Sequence, residues 1–186
     1  LLAIPVALQN LITFAVGFAD NLMVSSLGDA AVSGVYMGNQ IQTFLQLFSG
    51  GIEGAILILS AQYWGKRDTA SIKKIAAIGA QFSLLSGALL TAACLSMPGR
   101  IVALFTSEEA VILEGAAYLR IVCLSYAFFC MTQALIAAMR SVEAARVGMA
   151  VSAISLVFNV VLNYALIFGR LGLPAMGVRG AAIATL

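Results

Sequence analysis

The chain has 186 residues, of which 62% are apolar and 10% charged, with a net charge of +2 and no histidine. Soluble domains run at roughly 45–50% apolar and roughly 25% charged, and a chain of this length has too little interior to hide so much apolar surface from water. These values exclude a soluble globule, a large basic field for nucleic acid, and any His-ligated metal site or His-based catalysis.

A helix crosses the roughly 30 Å hydrocarbon core in about 20 residues. The first such span runs from Leu1 to about Val24 and closes at Ser25-Ser26-Leu27-Gly28-Asp29. Pro5 offers a kink or an N-terminal turn. Gln9, Thr13 and Asp20 fall within about 40° of one another at the helical step, and Gly17 continues the stripe. Polar groups inside a span cost free energy, so their placement is informative. Asp20 can face a cavity and bind a cation or a proton. It can equally sit hydrated at headgroup level beside Asn21.

The second span runs from about Val35 to Tyr63 and ends at Gly65-Lys66-Arg67-Asp68. Asn39, Gln42, Thr43, Gln46, Gly50 and Glu53 recur along one face of about 100°. A helix surrounded by lipid does not carry such a row. It faces a bundle interior or water, as a hydrated substrate path or as an interhelical hydrogen-bond network. Glu53 within it is expected to face protein or water.

The third span, about Ile75 to Met97, stops at Pro98-Gly99. Its Gly79-Ser83-Gly87 row reads as a helix-packing face. A short amphipathic piece is expected from Ile101 to Phe105. Ser107-Glu108-Glu109 then caps the next helix. The fourth span covers about Tyr118 to Met139, with Tyr118 and Arg120 placed in an interfacial belt. The fifth, about Val147 to Phe168, carries Asn159 and Asn163 on one face. Two amides there need partners. They bond between helices, or their oxygens help coordinate a small hard cation beside a carboxylate. A turn-rich stretch follows to Gly180, and Ala181 to Leu186 opens a sixth helix.

The continuous apolar runs do not alternate as barrel strands do. The fold class is therefore all-α: a polytopic transmembrane bundle with five full spans and the start of a sixth. The chain opens without Met inside one span and closes within another, so residues 1–186 read as a piece of a longer membrane protein. The cysteines Cys94, Cys123 and Cys130 form no disulfide framework and no zinc spacing. No HExxH, Walker, GxSxG or Rossmann pattern is present, so no enzyme and no cofactor are expected.

Four stretches resemble one family, the multidrug and toxic compound extrusion (MATE) transporters. Ile4-Pro5 through Phe18-Ala19-Asp20-Asn21 to Gly28 is similar to its first helix. Ala61-Gln62-Tyr63-Trp64-Gly65-Lys66-Arg67-Asp68 resembles the end of its second. Met139-Arg140-Ser141 is similar to the Leu-Arg-Gly after its fourth. Asn159 to Tyr164, then Gly177-Val178-Arg179-Gly180 to Thr185, resembles its fifth helix and the start of its sixth. The resemblance implies the amino-terminal lobe, incomplete at both ends, of a twelve-helix transporter built from two lobes around a cavity.

It also implies a multi-pass protein of the bacterial plasma membrane that exports cationic or amphipathic compounds in exchange for Na⁺ or H⁺. The missing second lobe and membrane lipid would be its partners. The family's first-helix carboxylate corresponds to Asp20, its fifth-helix pair to Asn159 and Asn163, and its sixth-helix threonine to Thr185. Asp20, Asn159 and Asn163 would then hold Na⁺, while Gln9, Thr13, Asn39, Gln42, Thr43, Gln46 and Glu53 would line the substrate path. Asn163 stands where some members carry Asp, and Arg140-Ser141 departs from the usual Arg-Gly. The alternatives are a flippase of lipid-linked saccharides from the same superfamily and a non-transporting membrane scaffold.

The loops after spans two and four carry Lys66, Arg67, Lys73, Lys74, Arg140 and Arg146, against Arg100, Arg120, Arg170 and Arg179 on the other side. The positive-inside rule places the first set in the cytoplasm. A cysteine introduced at Lys73 should therefore resist an impermeant thiol reagent in intact cells; rapid labelling there would reverse the orientation.

Overall fold

The computed structural model describes residues 3–170, 172 and 174–186. The expected span start at Leu1, the Pro5 side chain, and Leu171 and Leu173 of the turn-rich stretch lie outside the described residues. Eight α-helices follow in order among them: α1 (Ala3–Ser25), α2 (Asp29–Gly65), α3 (Thr69–Ser96), α4 (Pro98–Val102), α5 (Glu109–Val122), α6 (Tyr126–Ser141), α7 (Ala145–Phe168) and α8 (Val178–Thr185). A single 3₁₀ turn, Cys123–Ser125, joins α5 to α6. Five helical runs are long and apolar enough to cross a membrane, the fourth being the composite Glu109–Ser141.

The helix boundaries have local causes. Gly28, at φ 103°, lets the chain reverse between α1 and α2. Asp68 caps α3, accepting from the Ser71 backbone N–H at 3.1 Å and from its Oγ at 2.6 Å. The Ser71 side-chain bond, followed by its backbone bond, holds this exposed carboxyl below the usual carboxylate range. α7 ends on Gly169 at φ 65°. A Cβ there would lie 2.7 Å from the Ala175 nitrogen, so the turn needs glycine twice over.

Several boundaries differ from the sequence reading: α3 begins at Thr69 rather than about Ile75, α8 at Val178 rather than Ala181, and three others have evident causes. α2 runs from Asp29 to Gly65 rather than Val35 to Tyr63; its 37 residues make a rod of about 55 Å. Span four begins at Glu109 rather than near Tyr118, because Glu109 in the first turn suits the positive end of the helix dipole. The short piece expected at Ile101–Phe105 lies at Pro98–Val102, since Pro98 occupies a first-turn position where its missing N–H costs nothing.

Hydrophobic driving force between helices is weak in lipid, so packing depends on close approach. α3 lies along α6, α1 along α7, and α2 is clasped by α3, α5 and α6; α8 fills the angle between α5 and α7. A Cβ on Gly87 would meet the Ala127 Cα at 2.6 Å and the Tyr126 carbonyl oxygen at 2.7 Å. The Gly79-Ser83-Gly87 row is buried, as a packing face should be. The core gathers Leu119, Val122, Tyr126 and the free cysteines Cys94, Cys123 and Cys130.

Outside this core stand exposed Phe14, Leu47, Phe82 and Phe158, with Leu47 72% exposed. So much apolar exterior belongs in hydrocarbon. The protein is an integral, multi-pass membrane protein.

Replacing Gly87 by Ala should force α3 from α6 and lower stability by about 1–3 kcal/mol. Gly51 has open space where a Cβ would go, so Gly51→Ala should be neutral or gain up to about 1 kcal/mol from helix propensity. Thermal unfolding of both variants in detergent checks the pair, and equal midpoints would contradict it.

Candidate functional site

Two polar clusters bridge helices inside this apolar frame. The first forms where the last turns of α1 meet the second half of α7. The Asn163 amide donates to the Asp20 carboxylate and, at 3.2 Å, to the Asn159 carbonyl oxygen. Asn159 also lies within hydrogen-bonding reach of Asp20, and its own amide donates to the Ala184 carbonyl at 3.4 Å. The helical spacing of Asn159 and Asn163 puts both amides on the face of α7 that receives α1. Asp20 is therefore half-buried against α7 rather than free at headgroup level.

Asn163 is 1% exposed. Its amide nitrogen is doubly engaged, while its carbonyl oxygen is buried without a partner. A buried acceptor left unpaired costs about 1–3 kcal/mol. Here it belongs to the same side chain whose amide nitrogen bonds the Asp20 carboxylate.

Thr185, at the end of α8, donates to its own-helix carbonyl of Ala181 at 2.9 Å. Its hydroxyl also lies close to that of Tyr118. Tyr118 is 3% exposed and donates to the Asn39 side-chain oxygen at 3.1 Å. This corrects its expected place in an interfacial belt. Tyr118 is a buried link that carries the cluster from α8 to α2, and the sequence reading did not count it as a site residue. Its signal in the sequence was a phenol inside an apolar run, three residues after Gly115.

The second cluster lies toward the opposite end. Arg140, near the end of α6, donates from Nη2 to the Gln9 carbonyl oxygen at 2.8 Å. Gln9 is buried, in space left by Gly148, where a Cβ would approach its amide to 3.1 Å. Glu53 of α2 lies within electrostatic range of the same guanidinium. The Arg140 Nε is buried without a partner. Arg140 had been counted as a loop charge and as part of the Met139-Arg140-Ser141 motif; its reach into the bundle is set by neighbours that no local pattern shows.

The expected path residues separate accordingly. Gln9, Asn39 and Glu53 engage or face groups on other helices. Thr13 and Thr43 are exposed and turn their hydroxyls back to the carbonyls of Gln9 and Asn39. Gln42 is half-buried and Gln46 exposed, on the open margin of α2. Among the described residues no group of three His, Cys, Asp or Glu converges. Any cation at the first cluster would thus meet one carboxylate and neutral oxygens.

The MatE family profile matches residues 5–165. The chain belongs to the MatE family. It is 31% identical to a probable multidrug resistance protein NorM of Rhizobium meliloti, aligned over all of this chain and 39% of that protein. It is 28% identical to a multidrug resistance protein MdtK of Edwardsiella ictaluri, over 99% of this chain and 40% of the other. Among solved structures, a MOP-superfamily transporter from Pyrococcus furiosus superposes with a TM-score of 0.88 at 20% identity, over 99% of this chain and 40% of that one. An outward-facing multidrug resistance MATE transporter gives the same TM-score, identity and coverage. The chain therefore spans about 40% of the length of the curated relatives it matches.

The Gln9–Arg140 bond should be visible as coupling. Gln9→Leu and Arg140→Met, alone and together, should show a non-additive term of about 0.5–3 kcal/mol in thermal unfolding. Strict additivity would mean that the bond does not form in the membrane protein.

Proposed function

We propose that this chain is the amino-terminal lobe of an exporter that exchanges cationic or amphipathic compounds for Na⁺ or H⁺ across the plasma membrane. Drug-resistance transporters among its relatives support the substrate class. The observation that carries the coupling is the hydrogen bond from Asn163 to Asp20, beside an Asn163 oxygen with no partner.

Asp20 is the charge of the proposed site. With no ion present, the Asn163 amide satisfies it and ties α1 to α7. A cation entering the cluster displaces that amide, and rotation of the side chain turns its oxygen inward. The Asn159 oxygen and the Thr185 hydroxyl are further neutral donors, suited to a small alkali ion that the carboxylate anchors. A proton needs only the Asp20 oxygen. Either ion exchanges one set of contacts among α1, α7 and α8 for another, and so biases one of two conformations. The second lobe closes the cavity and moves against this one in alternating access. Gln9, Thr13, Asn39, Gln42, Thr43, Gln46 and Glu53 then supply the polar wall of the path.

The test is efflux from liposomes holding the full-length transporter, with Na⁺ and pH gradients imposed separately. Asp20→Asn should abolish response to the coupling gradient. Asn163→Ala should weaken apparent Na⁺ affinity about tenfold, equivalent to about 1.4 kcal/mol, if Na⁺ is the ion, and should leave pH-driven efflux near normal if H⁺ is. Coupled efflux by Asp20→Asn would overturn the proposal.

A further inference from the structure

On the outer side of the bundle, α2 and α3 diverge around a groove of about 590 Å³. Phe48, Ile52, Ala55 and Leu59 line one wall, and Ile78 and Phe82 the other; Gly51 and Gly79 keep its floor open. The groove points roughly 160° around α2 from the Asn39–Glu53 row, taking 100° per residue. It therefore turns away from the polar margin of α2. From Ile75 to Leu89 along α3 it extends about 21 Å, more than the roughly 15 Å depth of one leaflet's half of the hydrocarbon core.

Its end at Ile75 lies about 9 Å along α3 from the α2–α3 turn, where Lys66 and Arg67 are exposed. Lys74 is exposed too, and at helical spacing it stands within about 40° of the groove residues Ile78 and Leu85. Lys73 lies on the opposite face of α3. The acidic group of this turn, Asp68, caps α3 through Ser71 and stays charged within Coulombic range of Lys74, so it offsets part of the basic charge. An apolar channel longer than one leaflet's half of the hydrocarbon core thus runs toward three exposed basic side chains. Clusters of basic residues next to a span attract anionic lipid.

We propose that this groove is a binding site for an anionic phospholipid, with one acyl chain between α2 and α3 and its phosphate held by Lys66, Arg67 and Lys74. The chain supplies apolar contact and the basic end supplies headgroup preference, so the two halves can be separated by substitution.

The experiment is native mass spectrometry of the full-length transporter, titrated with phosphatidylglycerol and with phosphatidylcholine of identical chains. Wild type should retain phosphatidylglycerol preferentially, by on the order of tenfold. Joint replacement of Lys66, Arg67 and Lys74 by Gln should remove the preference while weak retention of both lipids persists. Ala55→Phe and Gly51→Phe, which fill the groove from open positions, should each reduce retention of both lipids. Glycerol phosphate without acyl chains should not compete; if it does, the site is a phosphate site and the groove has no part in it. Equal retention of the two lipids by wild type, an unaltered preference in the triple variant, or full retention in both groove-filling variants that unfold at the wild-type temperature would each overturn the proposal. The last result would also be expected if the second lobe or a second copy covers the groove.

Discussion

Inside a bilayer there is no water to satisfy a polar side chain, and this constraint organises the whole molecule. Most polar groups that bridge or line the spans find a partner on their own helix or on a neighbour, while Asn163 Oδ1 and Arg140 Nε are among those that do not. Thr13, Thr43 and Ser141 take the first course and bond the preceding turn. Asp20, Asn163, Asn39, Tyr118, Gln9 and Arg140 take the second, and their bonds decide which helices lie side by side. α1 also lies along α7 over much of its length. It rests on α7 through Asp20 at one end and reaches Arg140 of α6 through Gln9 at the other, with an apolar face between.

The glycines complement these bonds. Where Gly34 meets Gly115, and Gly87 meets Ala127, backbones approach so closely that even a methyl group would collide. Such contacts make α2, α3, α5 and α6 a rigid block. The polar clusters join α1, α7 and α8 to that block, and the Tyr118–Asn39 bond lies within it. Close packing reaches the flank as well: a Cβ on Gly180 of α8 would lie 2.6 Å from the Leu166 carbonyl oxygen of α7.

Much of this could be read in the sequence. Five spans, the polar face of α2 and the shared face of Asn159 and Asn163 follow from run length and helical periodicity, because these depend only on neighbours within one helix. The family motifs added the association of Asp20 with α7. What escaped was lateral. Nothing local to Tyr118 says that it will be walled in by α2 and α8, and nothing near Arg140 says that it will turn inward to Gln9. Boundaries failed for a related reason: hydropathy reports where lipid ends, whereas α2 continues through the headgroups on its own backbone bonds.

That continuation has a mechanical meaning. A rod of about 55 Å packed along α3, α5 and α6 belongs to one body with them, and a tilt of that body by about 10° would carry the far end of α2 through about 10 Å. The Lys66–Arg67 tip lies at that end, so any change in tilt would be largest there.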